Sequence, residues 1–401
     1  MNDTYNRPQV VLHMDWTSHT MERIPASGTL KMFELATRLE AEGKRIYHFE
    51  VGQPDFPTPD YIIAAGIEAL EHGFTRYTSS RGIPPLLDGI EKHYADRGIK
   101  IDGSKNVIVT PGAKMALFQG FLSVLDQIDD VLVLSPAWPT YRSLIKTVGA
   151  KSVDVNTHPM YGLDEEELKN HCSKTVSALV INTPNNPTGG VLGKDQMKLI
   201  YDLAVDHDFV VFSDEIYEML VYDGFKQPSM LEIDPNMEHT LVINGFSKTY
   251  AMTGWRLGYA VGNKETIDNM VRIQQNTTSC ATSFVQYAGA KALNGDQSSI
   301  KMMTNEYQKR RDEITNMFNN MDGIFCINPM GAFYVFPDFS AYNLSSNTLA
   351  ELILKKTGVT STPGIVFGKD YDDHLRFSYA TDLSVIKEGL TALSEFLPTL
   401  L

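Results

Sequence analysis

Six short apolar runs, five of them followed at once by polar or aromatic residues, constrain this chain more than any other feature. The runs are Asn106–Thr110, Asp130–Leu134, Ala178–Asn182, Phe209–Ser213, Thr240–Asn244 and Leu257–Val261. Most are near-continuous rather than alternating, the pattern of strands buried on both faces of a parallel sheet. Helical segments between them predict an α/β domain. The residues that close the runs are Pro111-Gly112-Ala113-Lys114, Ser135-Pro136-Ala137-Trp138, Thr183 to Gly189 (TPNNPTG), Asp214-Glu215-Ile216-Tyr217 and Gly245-Phe246-Ser247-Lys248. In an open parallel sheet, ligands bind beyond the carboxyl ends of the strands. Five consecutive runs delivering polar groups to one edge therefore imply a single shared site, and an enzyme rather than a structural protein.

The flanks read differently. A helix is expected over about Thr29–Glu42, with Leu30, Phe33, Ala36 and Leu39 on one face. A second is expected from Thr58-Pro59-Asp60, with Thr58 as its cap and Gly73 as its stop. Past residue 290, RRDEITNMFNNM reads as a helix, and GAFYVFPDF and HLRFSYA as strands. The expected division is an N-terminal segment, 1–54, packing with the small domain; a large domain, 55–290; and a small α+β domain, 291–401.

A length of 401 residues with 43% hydrophobic composition supports a substantial core, and a net charge of -14 disfavours nucleic acid and acidic membrane surfaces as partners. No run approaches the roughly 18 apolar residues of a membrane span, and MNDTYNRPQVVLHMDW lacks the apolar stretch of a secretory leader. Cys172, Cys280 and Cys326 are odd in number and far apart, without metal-ligand spacing. They read as reduced thiols of a cytoplasmic protein, and no metal is expected.

The run Ser247-Lys248-Thr249-Tyr250-Ala251-Met252-Thr253-Gly254-Trp255-Arg256-Leu257-Gly258 resembles the pyridoxal-phosphate lysine signature of class I/II aminotransferases. Asn185-Asn186-Pro187-Thr188-Gly189 and Asp214-Glu215-Ile216-Tyr217 are similar to two more signatures, in the same order. The similarity runs from Gly52-Gln53-Pro54-Asp55 to Leu375-Arg376-Phe377-Ser378, and is greatest to bacterial and archaeal aspartate aminotransferase-like enzymes. The resemblance implies the fold type I architecture of pyridoxal-phosphate transferases: a mainly parallel seven-stranded sheet in a large domain beside a smaller α+β domain. It also implies a homodimer whose active sites lie at the subunit interface.

Residue by residue, the resemblance makes Lys248 the group that holds the cofactor as a Schiff base and shuttles the proton at the substrate Cα. A tethered amine with a lowered pKa suits both tasks. Asp214, closing a buried strand, needs a cationic partner, which the protonated pyridine nitrogen would be. Tyr217 and Asn186 are expected at the cofactor's phenolic oxygen. The strand-to-helix turn at Gly112, Ala113 and Lys114 offers backbone N–H groups to a phosphate. Ser247, Arg256 and, from the other subunit, Tyr77 would join them. Relatives often carry a serine where this chain has Gly245, so that hydroxyl is missing. Trp138 matches the residue that stacks on the pyridine ring; the alternative is a core tryptophan. Arg376, inside an apolar run, offers a planar fork to the substrate α-carboxylate. Gly52 either touches the same carboxylate through its backbone or is a simple turn.

The implied reaction moves an amino group from an amino acid to a 2-oxo acid by ping-pong kinetics. Lys114 is read either as the partner of a distal carboxylate or as a solvated lysine opening a helix, with Arg81 as a second cation for the same task. The expected pair is aspartate and 2-oxoglutarate, with alanine or aromatic donors as alternatives. A C–S lyase, decarboxylase or cyclopropane-forming synthase would share these motifs. A cofactor-binding regulator would need a DNA-binding domain, and a sugar aminotransferase would not need Arg376.

Overall fold

The structure is a computed structural model that describes residues 28–157 and 162–400, together with Met21 and Ile24. The N-terminal residues read for a leader lie outside the described residues. All six apolar runs are strands. In chain order the large sheet contains Val107–Thr110 (β1), Asp130–Ser135 (β2), Lys151–Asn156 (β3), Val176–Asn182 (β4), Val210–Asp214 (β5), Thr240–Gly245 (β6) and Gly258–Val261 (β7). Their order across the sheet is β1-β7-β6-β5-β4-β2-β3.

Two features correct the sequence reading. β3 is an added edge strand, and its KSVDVN sequence is half-exposed rather than buried. β7 runs antiparallel to both its neighbours, pairing Gly258 with Thr110 and with Gly245. Reversal brings the start of β7, rather than its end, to the carboxyl edge of the other strands. Arg256, two residues before β7, thereby reaches the edge where the remaining strands deliver their polar groups.

Apolar cores cover the two faces of the sheet. One packs the helices Pro84–Ala95, Lys194–His207 and Ser283–Asn294 against it; the other packs Ala113–Val124, Thr140–Thr147 and Lys264–Gln275. The first core extends to Ile300. The helix Asp60–Glu71 forms as expected and ends at Gly73, whose φ is 75°. Its cap is Pro59 rather than Thr58, because the Thr58 hydroxyl donates to the Ala251 carbonyl oxygen at 2.7 Å and accepts from Trp255 Nε1 at 3.1 Å.

A third core joins the two ends of the chain. Met32, Ala36, Leu39 and Phe49 pack with Phe318, Leu354, Phe377 and Leu390. Phe33, expected on that buried face, is 44% exposed, and the helix spans Gly28–Ala41. The segment at Tyr47 is pinned to the C-terminal half by Tyr47 N to Gly358 O at 2.8 Å and Ser378 N to Phe49 O at 2.7 Å. Tyr334–Val335 (β8), Thr362–Pro363 (β9) and Leu375–Ser378 (β10) form a three-stranded sheet in the order β8-β10-β9. The helices Ser298–Asn319, Ser346–Thr357 and Leu383–Phe396 contribute to this core. Among the described residues, no helix is long and apolar enough to cross a membrane.

Candidate active site

A cavity of about 440 Å³ opens at the carboxyl edge of the large sheet, against the small sheet. That is within the size range of small-molecule sites. The fold brings Gly52, Ala113, Lys114, Trp138, Asn186, Asp214, Tyr217, Ser247, Lys248, Arg256 and Arg376 into its wall. Gly112 stands immediately behind, capping the helix Ala113–Val124 at φ 85° without a side chain, so the first N–H groups of that helix are not taken by a side-chain cap. Two residues considered from sequence are elsewhere. Tyr77 is 87% exposed and lies beside Thr278 and Phe284, outside the cavity. Arg81 donates to the carbonyls of Lys105 and Val107, at the opposite end of β1, and pairs with Asp268; it is not available to a ligand in the cavity.

Asp214 ends β5 with its carboxylate buried. Tyr141 donates to Oδ2 at 2.6 Å and the Ile216 amide to Oδ1 at 3.2 Å. Burial pushes its pKa up to about 6, although both hydrogen bonds and the Lys248 charge oppose that. The β4 end locks to the same point. Asn182 Nδ2 donates to the Asp214 carbonyl at 3.0 Å, and Asn182 Oδ1 accepts from the Asn186 amide at 2.8 Å. Asn186 Oδ1 in turn accepts from Arg376 at 3.1 Å. A chain of neutral dipoles thus fixes Asp214, Asn186 and Arg376 relative to one another.

Lys248 follows β6 on a short turn. Its Nζ donates to the Gly52 carbonyl at 2.5 Å and lies 6.0 Å from the Tyr217 ring centre. Burial, with the charges of Arg376 and Arg256, lowers its pKa to about 8. Arg376, 4% exposed, spends its donors on Asn186, the Glu50 carbonyl at 2.6 Å and Thr362 at 3.1 Å, none of them a carboxylate. Its Nε is buried without a partner among the described residues. Arg256 donates to the Thr253 carbonyl at 2.9 Å. Lys114 Nζ stands 4.9 Å from the Trp138 ring centre, its pKa lowered by burial and by Arg256.

Four cations thus face one carboxylate: Lys248, Arg256 and Arg376 donate to neutral oxygens, and Lys114 lies over the Trp138 ring. Such a wall accepts an anion at the Arg256 end and another at the Arg376 end, with an aromatic plane between them at Trp138. The donor set suits pyridoxal phosphate: a phosphate against the helix start, Ser247 and Arg256; a protonated ring nitrogen against Asp214; an aldehyde near Lys248. A side chain at position 245 would meet Gly258 Cα and the Leu257 carbonyl at 3.0 Å, so the glycine there keeps β6 close to β7.

Three wall residues were not foreseen. Tyr141 sits one helical turn after Trp138, ring edge to ring face, with centres 5.5 Å apart. Asn182 closes the apolar run of β4. Tyr334, inside the run GAFYVF, bonds the Tyr217 hydroxyl at 2.9 Å. The asparagine ending a strand was a readable signal; the two tyrosines look like core residues in sequence.

Residues 44–393 match the family model described as aminotransferase class I and II. Aromatic-amino-acid aminotransferase 2 of Thermococcus litoralis is 37% identical over 385 residues, covering 95% of this chain and 98% of its own length. An aspartate aminotransferase of Pyrococcus abyssi is 36% identical, with the same coverage. The solved structure of Thermus thermophilus aspartate aminotransferase with maleate matches at a TM-score of 0.91 and 35% identity, covering 96% of this chain and 100% of that one.

Proposed function

The chain belongs to the class I and II aminotransferases, and on that premise we propose that it binds pyridoxal phosphate through Lys248 and uses aspartate and 2-oxoglutarate as its substrate pair. Its activity is transfer of an amino group between an amino acid and a 2-oxo acid. The observation that carries the reading is the meeting of Lys248, Asp214 and Arg376 in one cavity, with Lys248 near neutral pKa and Arg376 holding an unpartnered Nε.

When bound, pyridoxal phosphate supplies an aldehyde that takes up the amino group and a ring that draws off the electron pair released at Cα. Everything else falls to the chain. Lys248, with a pKa near 8, is partly unprotonated at neutral pH and able to take the proton from the substrate Cα. Asp214 offers a carboxylate to a ring-nitrogen proton, and Tyr141 holds that carboxylate still. Tyr217 and the Asn186 amide supply donors for the phenolic oxygen. Ser247, Arg256 and the N–H groups at Ala113 and Lys114 receive the phosphate, without a hydroxyl from position 245. Trp138 supplies the stacking face. Arg376 binds the α-carboxylate in two parallel hydrogen bonds and fixes which Cα bond faces Lys248.

The dicarboxylate preference rests on Lys114, which lies in the cavity wall with no carboxylate bonded to it among the described residues, whereas Arg81 is committed elsewhere. An aromatic donor is the second reading, favoured by the rings of Trp138, Tyr141 and Tyr334 in the same wall. The exposure of Tyr77 supports a homodimer in which it reaches the partner's phosphate site. The joined core of residues 32–49 and 303–397 supports the small domain as read from sequence, and three free cysteines fit a reducing cytoplasm.

The test is a visible spectrum of the cofactor-loaded protein, with aspartate, glutamate, alanine and phenylalanine added singly, for the parent and for Lys114→Ala. The expected result is conversion to the pyridoxamine form with the dicarboxylates, reduced roughly tenfold or more in rate by Lys114→Ala and unchanged for phenylalanine. Equal loss for aspartate and phenylalanine would remove the dicarboxylate assignment. A band that no donor converts would move the weight to a lyase.

A further inference from the structure

We infer that Tyr334 is a positioning residue for the transfer reaction, directing the proton of Tyr217 into the cavity while its ring supports Arg376. The inference rests on the reading of Lys248, Tyr217 and Arg376 given above.

Tyr334 opens β8, paired with Ser378 of β10, and its ring is buried. Three contacts define it. The Arg376 guanidinium lies 4.5 Å from its ring centre. Its hydroxyl is 2.9 Å from the Tyr217 hydroxyl. Its hydroxyl also occupies the space beside Gly52, where an added Cβ would stand 2.5 Å from the oxygen. The glycine at 52 therefore makes room for this phenol.

Each phenol has one proton, so a pair of hydroxyls shares one hydrogen bond and one of them must donate. If Tyr217 donated to Tyr334, its proton would be spent inside the wall. If Tyr334 donates, the Tyr217 proton is left for the cavity. The stronger acid makes the better donor. Burial raises both pKa values and the Arg376 charge opposes the rise at both, but the guanidinium lies 4.5 Å over the Tyr334 ring centre, whereas Lys248 stands 6.0 Å from that of Tyr217, which leaves Tyr334 the better donor. The charged groups facing the pair are Arg376 from β10, Lys248 after β6 and Asp214 at the end of β5, and replacing Tyr334 alters none of them. The guanidinium over the Tyr334 ring thus both gains a cation–π contact and sets the direction of the hydroxyl pair.

The test uses the cofactor-loaded protein and reads the pH midpoint of its visible band. A donor at the phenolic oxygen stabilises the deprotonated form of the lysine-bound cofactor, so weakening that donor raises the midpoint. Tyr334→Phe, which keeps the ring, should raise it by about 0.5–1 unit with KM for the amino acid unchanged. Tyr334→Leu, which also removes the ring, should add a rise in KM of roughly three- to tenfold. Tyr217→Phe with Tyr334→Phe should shift the midpoint no further than Tyr217→Phe alone, because the second change acts through the first. Gly52→Ala, which crowds the Tyr334 hydroxyl without altering it, should shift the midpoint in the same direction, and reads the effect even where Tyr334→Leu does not fold. A midpoint indifferent to Tyr334→Phe, or shifts that add in the double variant, would overturn the inference while leaving the cofactor reading intact. A parent protein without a visible band would overturn both.

Discussion

The turn Asp214-Glu215-Ile216-Tyr217-Glu218 has two faces, and they treat charge in opposite ways. Asp214 and Tyr217 face the cavity. Glu215 and Glu218 face a buried cluster against the helix Pro84–Ala95. There Glu218 is met by charge, while Glu215 is held by neutral donors. Glu218 accepts from His93 at 2.9 Å and from Asn244 at 2.8 Å, and pairs with Arg97. Arg97 also reaches the Gln227 carbonyl at 3.0 Å. Glu215 Oε1 accepts from Ser213, Ser229 and the Met230 amide. In the cavity, by contrast, Lys248 and Arg376 bond only neutral oxygens among the described residues. Burying charge is costly unless it is paired. A fold that pairs Glu218 with cations on one face of a turn and leaves Lys248 and Arg376 on neutral oxygens at the other is keeping the second set for a ligand.

The pKa directions separate the two faces in the same way. Burial pushes Glu218 up, but His93 and Arg97 outweigh it and bring the carboxyl down to about 2. Glu215, with fewer cations near it, is pushed up to about 7 by burial and by Glu218. Asp214 is raised to about 6 by burial, which its two hydrogen bonds and the Lys248 charge only partly offset.

The largest expected effect falls on the paired face. Glu218→Ala strands Arg97 and His93 in the interior and should cost about 3–5 kcal/mol, read as a lowered thermal or urea midpoint. The pH dependence has a definite sign. Glu218 is depressed from 4.5, so its contribution is complete above about pH 4.5 and drains away as pH falls toward 2. His93 is raised, so its contribution is present below the ordinary histidine value and fades as pH rises through its folded value. The variant should lose the acid-side slope. A variant as stable as the parent at pH 6 would break the comparison, because the cluster would then not be structural.

A smaller effect is expected on the free face, and on binding instead of folding. Arg376→Lys replaces the planar fork by a single point charge. It should raise KM for every amino acid by roughly 10–100-fold while leaving the melting midpoint within a degree or two. A loss of stability comparable to that of Glu218→Ala would show Arg376 to be part of the structural frame instead.

The two faces also differ in how they could be read from the sequence. The strands of the large sheet were legible because runs such as DVLVL and TLVIN are apolar throughout, and the polar residues closing them pointed to one edge. β3 was not, because KSVDVN alternates and lies half-exposed at the edge. The direction of β7 was not either, since a four-residue apolar strand has no polarity of its own. In the site, Lys248, Asp214 and Arg376 stood out as charges inside or beside apolar runs, and the family resemblance supplied their expected roles. Tyr141 and Tyr334 did not, because a tyrosine in an apolar run looks like core. Tyr334 gains its part from Tyr217, 117 residues away, and that pairing exists only once the small sheet packs against the large one. The cluster of Glu215, Glu218, His93 and Arg97 was invisible for the same reason.

Lys248 is the residue on which cofactor binding and proton transfer both turn. The direct measurement is borohydride reduction of the protein after incubation with pyridoxal phosphate, followed by peptide mass mapping. The predicted result is one cofactor-modified peptide, with the added mass on Lys248. Label on Lys114 or another lysine in its place, or no label at all, would contradict the central claim.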